Sequence, residues 1–128
     1  MQDKVVVQTD KAPAAVGPYS QAIRVGSLIF TAGQIGIDPR TGQLVSGLEA
    51  QVHQVMQNLQ AILQAAGSDL QHLVKTTIYL TDLSAFQTVN AIYAEYVGTT
   101  PPARSTVQVA ALPLAAEVEI EAVAVVPE

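Results

Sequence analysis

The chain has 128 residues, 49% of them apolar and 13% charged, with a net charge of −5. A chain of that size and apolarity folds around one core as one domain, residues 1–128, and does not stay disordered. Its six Lys and Arg (Lys4, Lys11, Arg24, Arg40, Lys75 and Arg104) form no cluster, so no nucleic-acid partner is expected, and the lack of cysteine excludes disulfides, thiolate zinc sites and a Cys nucleophile.

Met1 to Lys4 lead into Val5-Val6-Val7, an apolar run too short for a signal peptide. No apolar stretch reaches the roughly 20 residues of a bilayer span, so a cytoplasmic protein without a membrane partner is expected. Val5 to Gln8 reads as a strand and residues 9–19 as a loop containing Pro13, Gly17 and Pro18. Gln21 to Val25 and Leu28 to Thr31 read as a hairpin around Gly26-Ser27, and Asp38-Pro39-Arg40-Thr41-Gly42 as a turn. Ser46 and Glu49 have capping-box spacing, and the stripe Leu48, Val52, Val55, Met56, Leu59, Ile62, Leu63, Ala66 predicts a helix that stops near Gly67. Val74 to Leu80 reads as a strand. A second helix is predicted from Asp82 or Ser84, with Phe86, Val89, Tyr93, Tyr96 and Val97 as its stripe, ending before Pro101-Pro102.

Two strands close the chain, Arg104 to Ala110 and Glu117 to Val126, joined by a connection short enough for a hairpin. Period-two alternation puts Arg104, Thr106 and Gln108 on one face of the first, and Glu119, Glu121, Val123 and Val125 on one face of the second. The fold class is α+β, with two helices covering one face of one sheet. Low charge content points to surface buried by oligomerisation.

Two carboxylates mid-strand, between apolar neighbours, are costly to bury without compensating partners. With Arg104 on the preceding strand they form either a carboxylate–guanidinium site or, as the residues alone favour, a cross-strand ion pair or solvated face. Tyr19, in Gly17-Pro18-Tyr19-Ser20, could wall a pocket or pack over its own turn. Asn90 could bind a ligand or a neighbouring loop. Gly33, in Thr31-Ala32-Gly33-Gln34, permits close backbone approach but belongs to no phosphate or dinucleotide motif. His53 is expected on the outer side of its helix, and His53 and His72 lack paired spacing, so no metal site is expected.

In their order along the chain, Ala12 to Ala22, Thr31-Ala32-Gly33-Gln34-Ile35 with the Asp38-Pro39 turn, Asn58 to Gly67, Val74 to Thr77, Asp82-Leu83, Val89-Asn90, Pro102 to Val107, Leu112-Pro113 and Val118 to Ala122 resemble the signatures of the RidA/YjgF family over nearly the whole chain. The resemblance implies a chorismate-mutase-like domain with a mixed six-stranded sheet, assembled as a homotrimer with active sites between subunits. It further implies hydrolysis of 2-iminobutanoate, 2-iminopropanoate and similar 2-imino acids to 2-keto acids and ammonia, with no cofactor. Arg104 then matches the residue that clamps the substrate carboxylate, and Glu119 the acid that activates water. Tyr19 and Asn90 match residues at the pocket, and backbone groups at Gly33 and Thr106 are expected to bond substrate or water; Glu121 is expected to be structural. Thr106 stands where many members have Cys, and Ala32 where many have Ser. A non-catalytic trimer that binds 2-keto acids is the alternative. Ribonuclease activity, ascribed to some relatives, is disfavoured by the acidic composition.

Overall fold

In the computed structural model, which describes residues 3–128, β1 (Lys4–Val7), β2 (Ala22–Val25) and β3 (Leu28–Thr31) form an antiparallel meander whose second turn is Gly26-Ser27. The reading of Met1 and Gln2 lies outside the described residues. A small hairpin, β4 (Ile37–Asp38) with β5 (Gln43–Leu44), flanks the turn at residues 38–42. Helix α1 (Leu48–Ala65) follows, then β6 (Leu73–Leu80), α2 (Phe86–Val97), β7 (Ala103–Gln108) and β8 (Val118–Val125).

The predicted α1 stripe faces the core: Val52, Val55, Met56, Leu59, Ile62 and Leu63 are fully buried. Burying one such side chain stabilises the fold by about 1.5–3 kcal/mol. The helix does not begin as predicted. Gly47 is the N-cap at φ 90, and no side chain caps the first turn, so the Ser46–Glu49 capping box does not form. A left-handed φ costs glycine little and serine much, which places the chain reversal at Gly47. Two polar residues on the buried side of α1 are satisfied. Gln51 Oε1 accepts from Glu117 N at 2.8 Å, and Asn58 Nδ2 donates to Ile37 O at 2.9 Å and Ile35 O at 3.3 Å. They tie α1 to the start of β8 and to the segment after Gly33.

Asp82 caps a single 3₁₀ turn, Leu83–Ala85, and α2 proper starts at Phe86. Its buried residues are Val89, Ile92, Tyr93 and Val97, so Ile92 joins the stripe while Phe86 stays partly exposed.

The main sheet has the order β1-β2-β3-β8-β6-β7 and is antiparallel except where β6 and β7 run parallel. This overturns the expected hairpin between the last two strands. The chain leaves β7 at one edge, passes through residues 109–117 and returns as the central strand β8, with β6 lying between the two. Strand β8 is central because Val118, Ile120, Ala122 and Ala124 form a wholly buried row, and only the middle of the sheet offers neighbours on both sides. Helix α1 packs on β8 and β3, and α2 packs beside α1. Among the described residues the opposite face carries no helix, and it exposes apolar side chains: Val6 is 61% exposed, Phe30 45% and Val107 43%. Among the described residues, no helix is long and apolar enough to cross a membrane.

Candidate functional site

Register places the predicted site residues on two sides of the sheet. Arg104 pairs with Thr76, which also pairs with Ala122, so Arg104 points to the helix-covered face. Glu119 pairs with Tyr79, which also pairs with Val107, so Glu119 points to the open face. The expected cross-strand ion pair between Arg104 and the β8 carboxylates therefore does not exist within one chain. They are two strands apart and separated by the thickness of the sheet.

Glu119 lines a cavity of about 300 Å³ together with Tyr19, Gly33, Val16, Ile35 and Leu114. Gly33 is brought there by a bridge between Gln34 and Ile120, whose amides and carbonyls exchange bonds of 2.9 and 3.1 Å. A Cβ on Gly33 would lie 2.8 Å from Glu119 Cδ and nearer still to its Oε2, so the carboxylate occupies the space a side chain would fill. Burial, and next the charge of Glu121 on the same face, raise the Glu119 pKa above the usual carboxylate value. Tyr79 donates its hydroxyl to Glu121 Oε1 at 2.7 Å, and that bond raises the Tyr79 pKa. Glu121 is thus an anchored neighbour of Glu119, which adds an electrostatic role to the structural one expected.

Tyr19 is carried by a loop that Gln21 holds down. The buried Gln21 amide accepts from Thr9 N at 2.8 Å and donates to Pro13 O at 2.8 Å and Thr9 O at 3.1 Å. Opposite it, Leu114 and Ala115 adopt φ 57 and 58. Left-handed backbone at two consecutive non-glycine residues costs on the order of 1–3 kcal/mol each. Their side chains gave no sequence signal for it, and neither did Val16 or Ile35 for lining a cavity.

Arg104 and Asn90 share a second, shallower cleft with Tyr93, Val97, Pro101 and Pro102. The Arg104 guanidinium carbon lies 5.3 Å from the Phe86 ring centre and 5.2 Å from that of Tyr93, and among the described residues no carboxylate pairs with it. Thr106, two residues on and on the same face, lines neither cavity. Its Oγ1 is buried with no hydrogen-bond partner among the described residues.

Both histidines are engaged elsewhere. His53 is half-buried and meets Tyr96 OH at 2.6 Å across the seam between α1 and α2, a correction to its expected outer position, because the second helix covers that side. His72 Nδ1 contacts Asp69 Oδ1 at 2.7 Å. Among the described residues no group of three or more His, Cys, Asp or Glu could hold a metal ion.

The class defined by this fold and these two clefts is a small α+β domain with an arginine flanked by aromatic rings on one sheet face and a pocketed carboxylate on the other. The chain belongs to the RidA/YjgF family: residues 9–126 match the family model described as Endoribonuclease L-PSP. It is 56% identical over 122 residues to Reactive Intermediate Deaminase A, chloroplastic, of Arabidopsis thaliana, covering 94% of this chain and 65% of that protein. It is 52% identical over 121 residues to the 2-iminobutanoate/2-iminopropanoate deaminase of Mus musculus, covering 94% and 90%. A solved Rid-family protein of unknown function from Yersinia pestis superposes with a TM-score of 0.94 at 49% identity, covering 97% of this chain and all of that one.

Proposed function

We propose that the chain hydrolyses 2-imino acids, 2-iminobutanoate and 2-iminopropanoate among them, to 2-keto acids and ammonia at sites shared between copies of a homotrimer. One observation carries the reading. A guanidinium without a carboxylate partner and a carboxyl with a raised pKa sit on opposite faces of one sheet, so the Arg104 of one copy can meet the Glu119 pocket of the next. The exposed apolar row Val6, Phe30 and Val107 gives the copies a surface to bury. The curated relatives named as deaminases support the reaction class.

The chemistry follows from the residues. The Arg104 fork holds the substrate carboxylate by two parallel charge-assisted bonds. Glu119, more basic than an ordinary glutamate, takes a proton from water. The water oxygen attacks C2 of the imine, whose C=N π electrons move to nitrogen. Glu119 returns that proton to nitrogen to give the carbinolamine, which collapses to the keto acid as its hydroxyl proton passes to the amino nitrogen and the C–N bond breaks to release ammonia. Water is consumed, ammonia is released and no redox partner is involved. Tyr19 and Asn90 wall the two halves of the site, and backbone groups at Gly33 and Thr106 bond substrate or water. The cytoplasm belongs to the same proposal, consistent with a chain that contains no cysteine.

Ribonuclease chemistry, which the family model's description names, fits this chain poorly. Its net charge is −5, and of its six basic residues Arg40 is spent on Asp38 at 2.9 Å and Arg24 on Gly26 O and Ala66 O.

A coupled assay tests the proposal. A threonine dehydratase generates 2-iminobutanoate in the presence of semicarbazide, which traps the imine. The expected result is that the protein diverts imine from the trap and speeds 2-ketobutyrate release. If the imine lifetime does not change while 2-ketobutyrate still binds, the chain is the non-catalytic binding trimer instead. Gly33→Ala is a finer probe. Its methyl would displace the flexible end of Glu119 while leaving the backbone in place, so turnover falls by about 10²-fold with little change in melting temperature. Full activity in that variant would show that the carboxylate does not act from beside Gly33.

A further inference from the structure

Arg104 is held by aromatic faces. Phe86 and Tyr93 lie seven residues apart on α2, two turns along one side of the helix, and both rings come within cation–π distance of the guanidinium carbon, 5.3 and 5.2 Å from their centres. Tyr93 is itself fixed. It is 4% exposed, and its hydroxyl meets Thr76 Oγ1 at 2.6 Å in the core. Thr76 is the register partner of Arg104 on the adjacent strand, so ring and arginine are referenced to the same point of the sheet. Asn90, on the same side of α2 between the two rings, lines the cleft beside Arg104.

The choice of rings has a consequence for binding. A protein carboxylate holding Arg104 would occupy its N–H fork and cancel its charge. A ring attracts the cation through its π face and takes none of the in-plane donors, so the fork stays open for an incoming anion. It also restricts a long, rotamer-rich side chain before the ligand arrives, which lowers the ordering cost of binding.

We propose that Phe86 and Tyr93 form a positioning slot for Arg104, which sets the affinity of the site for the carboxylate of its ligand. This rests on the reading of Arg104 as the carboxylate clamp and adds the residues through which the clamp is held. Neither ring lines the cavity that holds Glu119, so the slot acts on binding of substrate and transition state alike, and its loss appears in KM while kcat is little changed.

The test compares Phe86→Leu, Phe86→Tyr and Arg104→Ala, with 2-ketobutyrate as the titrated probe in calorimetry and the coupled imine assay as the kinetic one. Phe86 is about one-third exposed, so leucine there leaves the core intact. Loss of one ring is expected to weaken 2-ketobutyrate binding and raise KM by about tenfold, with kcat within about twofold and Phe86→Tyr close to wild type. If Phe86→Leu binds 2-ketobutyrate as tightly as wild type while Arg104→Ala does not bind it, the slot is refuted and the clamp stands. If Arg104→Ala binds it unchanged, the clamp and the slot fall together. If Phe86→Leu lowers kcat and the melting temperature in step with affinity, Phe86 is a packing residue and the slot is likewise refuted.

Discussion

Glu119→Gln is expected to lose about 10²–10⁴-fold in turnover and yet to melt at a higher temperature than wild type at neutral pH. The loss follows from removing the group proposed to take the proton from water. The gain in stability follows from the environment that makes Glu119 a better base. Burial, and next Glu121, raise its pKa in the folded state, so over the interval between the unfolded and folded pKa values the folded protein binds more protons than the unfolded one. The stability contributed by such a group is complete below its unfolded pKa and is lost as pH rises through the folded pKa. Glutamine never ionises and avoids that loss. Thermal melts of the two proteins should therefore differ at about pH 7 and converge near about pH 3.5, where the carboxyl is protonated in both states. A wild type that melts above Glu119→Gln at neutral pH would show that Glu119 is held by a partner in the assembled protein.

The same shift fixes the acid side of the rate profile. Activity needs ionised Glu119 and should fall, as pH is lowered, at a value above that of an ordinary glutamate. Glu121→Gln removes one cause of the shift and should move that limb to lower pH. Tyr79, hydrogen-bonded to Glu121 on the same face, has its pKa raised above the usual phenol value by that bond.

Arg104→Ala is expected to cost about 10²–10³-fold in kcat/KM, because truncating one partner of a desolvated charge pair costs about 2–5 kcal/mol. Arg104→Lys should fall between, since it keeps the charge and loses the fork. The more telling experiment mixes the variants. Arg104 and Glu119 point to opposite faces of one sheet, so a shared site must take them from different copies. Refolding equal amounts of Arg104→Ala and Glu119→Gln chains together should restore about one quarter of wild-type activity, because each site draws its two residues independently from the two pools. Absence of any recovery in a mixture shown to exchange subunits would mean that one chain carries a whole site.

The parts of this molecule legible in its sequence are those set by local periodicity. The α1 stripe, the Gly26-Ser27 turn and the faces of β7 and β8 follow from spacings of 3.6 and 2, which act over a few residues. The capping box was legible and wrong. Ser46 and Glu49 have the right spacing, but the chain turns at Gly47, and a local motif cannot compete with the direction that β5 and α1 impose. The candidate residues of the site came from ordered signatures along the whole chain, and no single spacing singled them out.

Sequence by itself determined which side chains share a strand face, that Glu119 would stand among apolar neighbours, and that one domain with two helices would form. Only the tertiary structure decided that β6 lies between β7 and β8, and this set Arg104 and Glu119, an apparent ion pair, on opposite faces of the sheet. It also decided that two rings hold Arg104, that Gly33 yields its side-chain space to Glu119, and that the Gln21 side chain anchors the Tyr19 loop. The physical reason is common to all of these. Strand order and cross-element contacts are fixed by burying surface between residues far apart in the chain, an energy with no period and therefore no mark in a local reading.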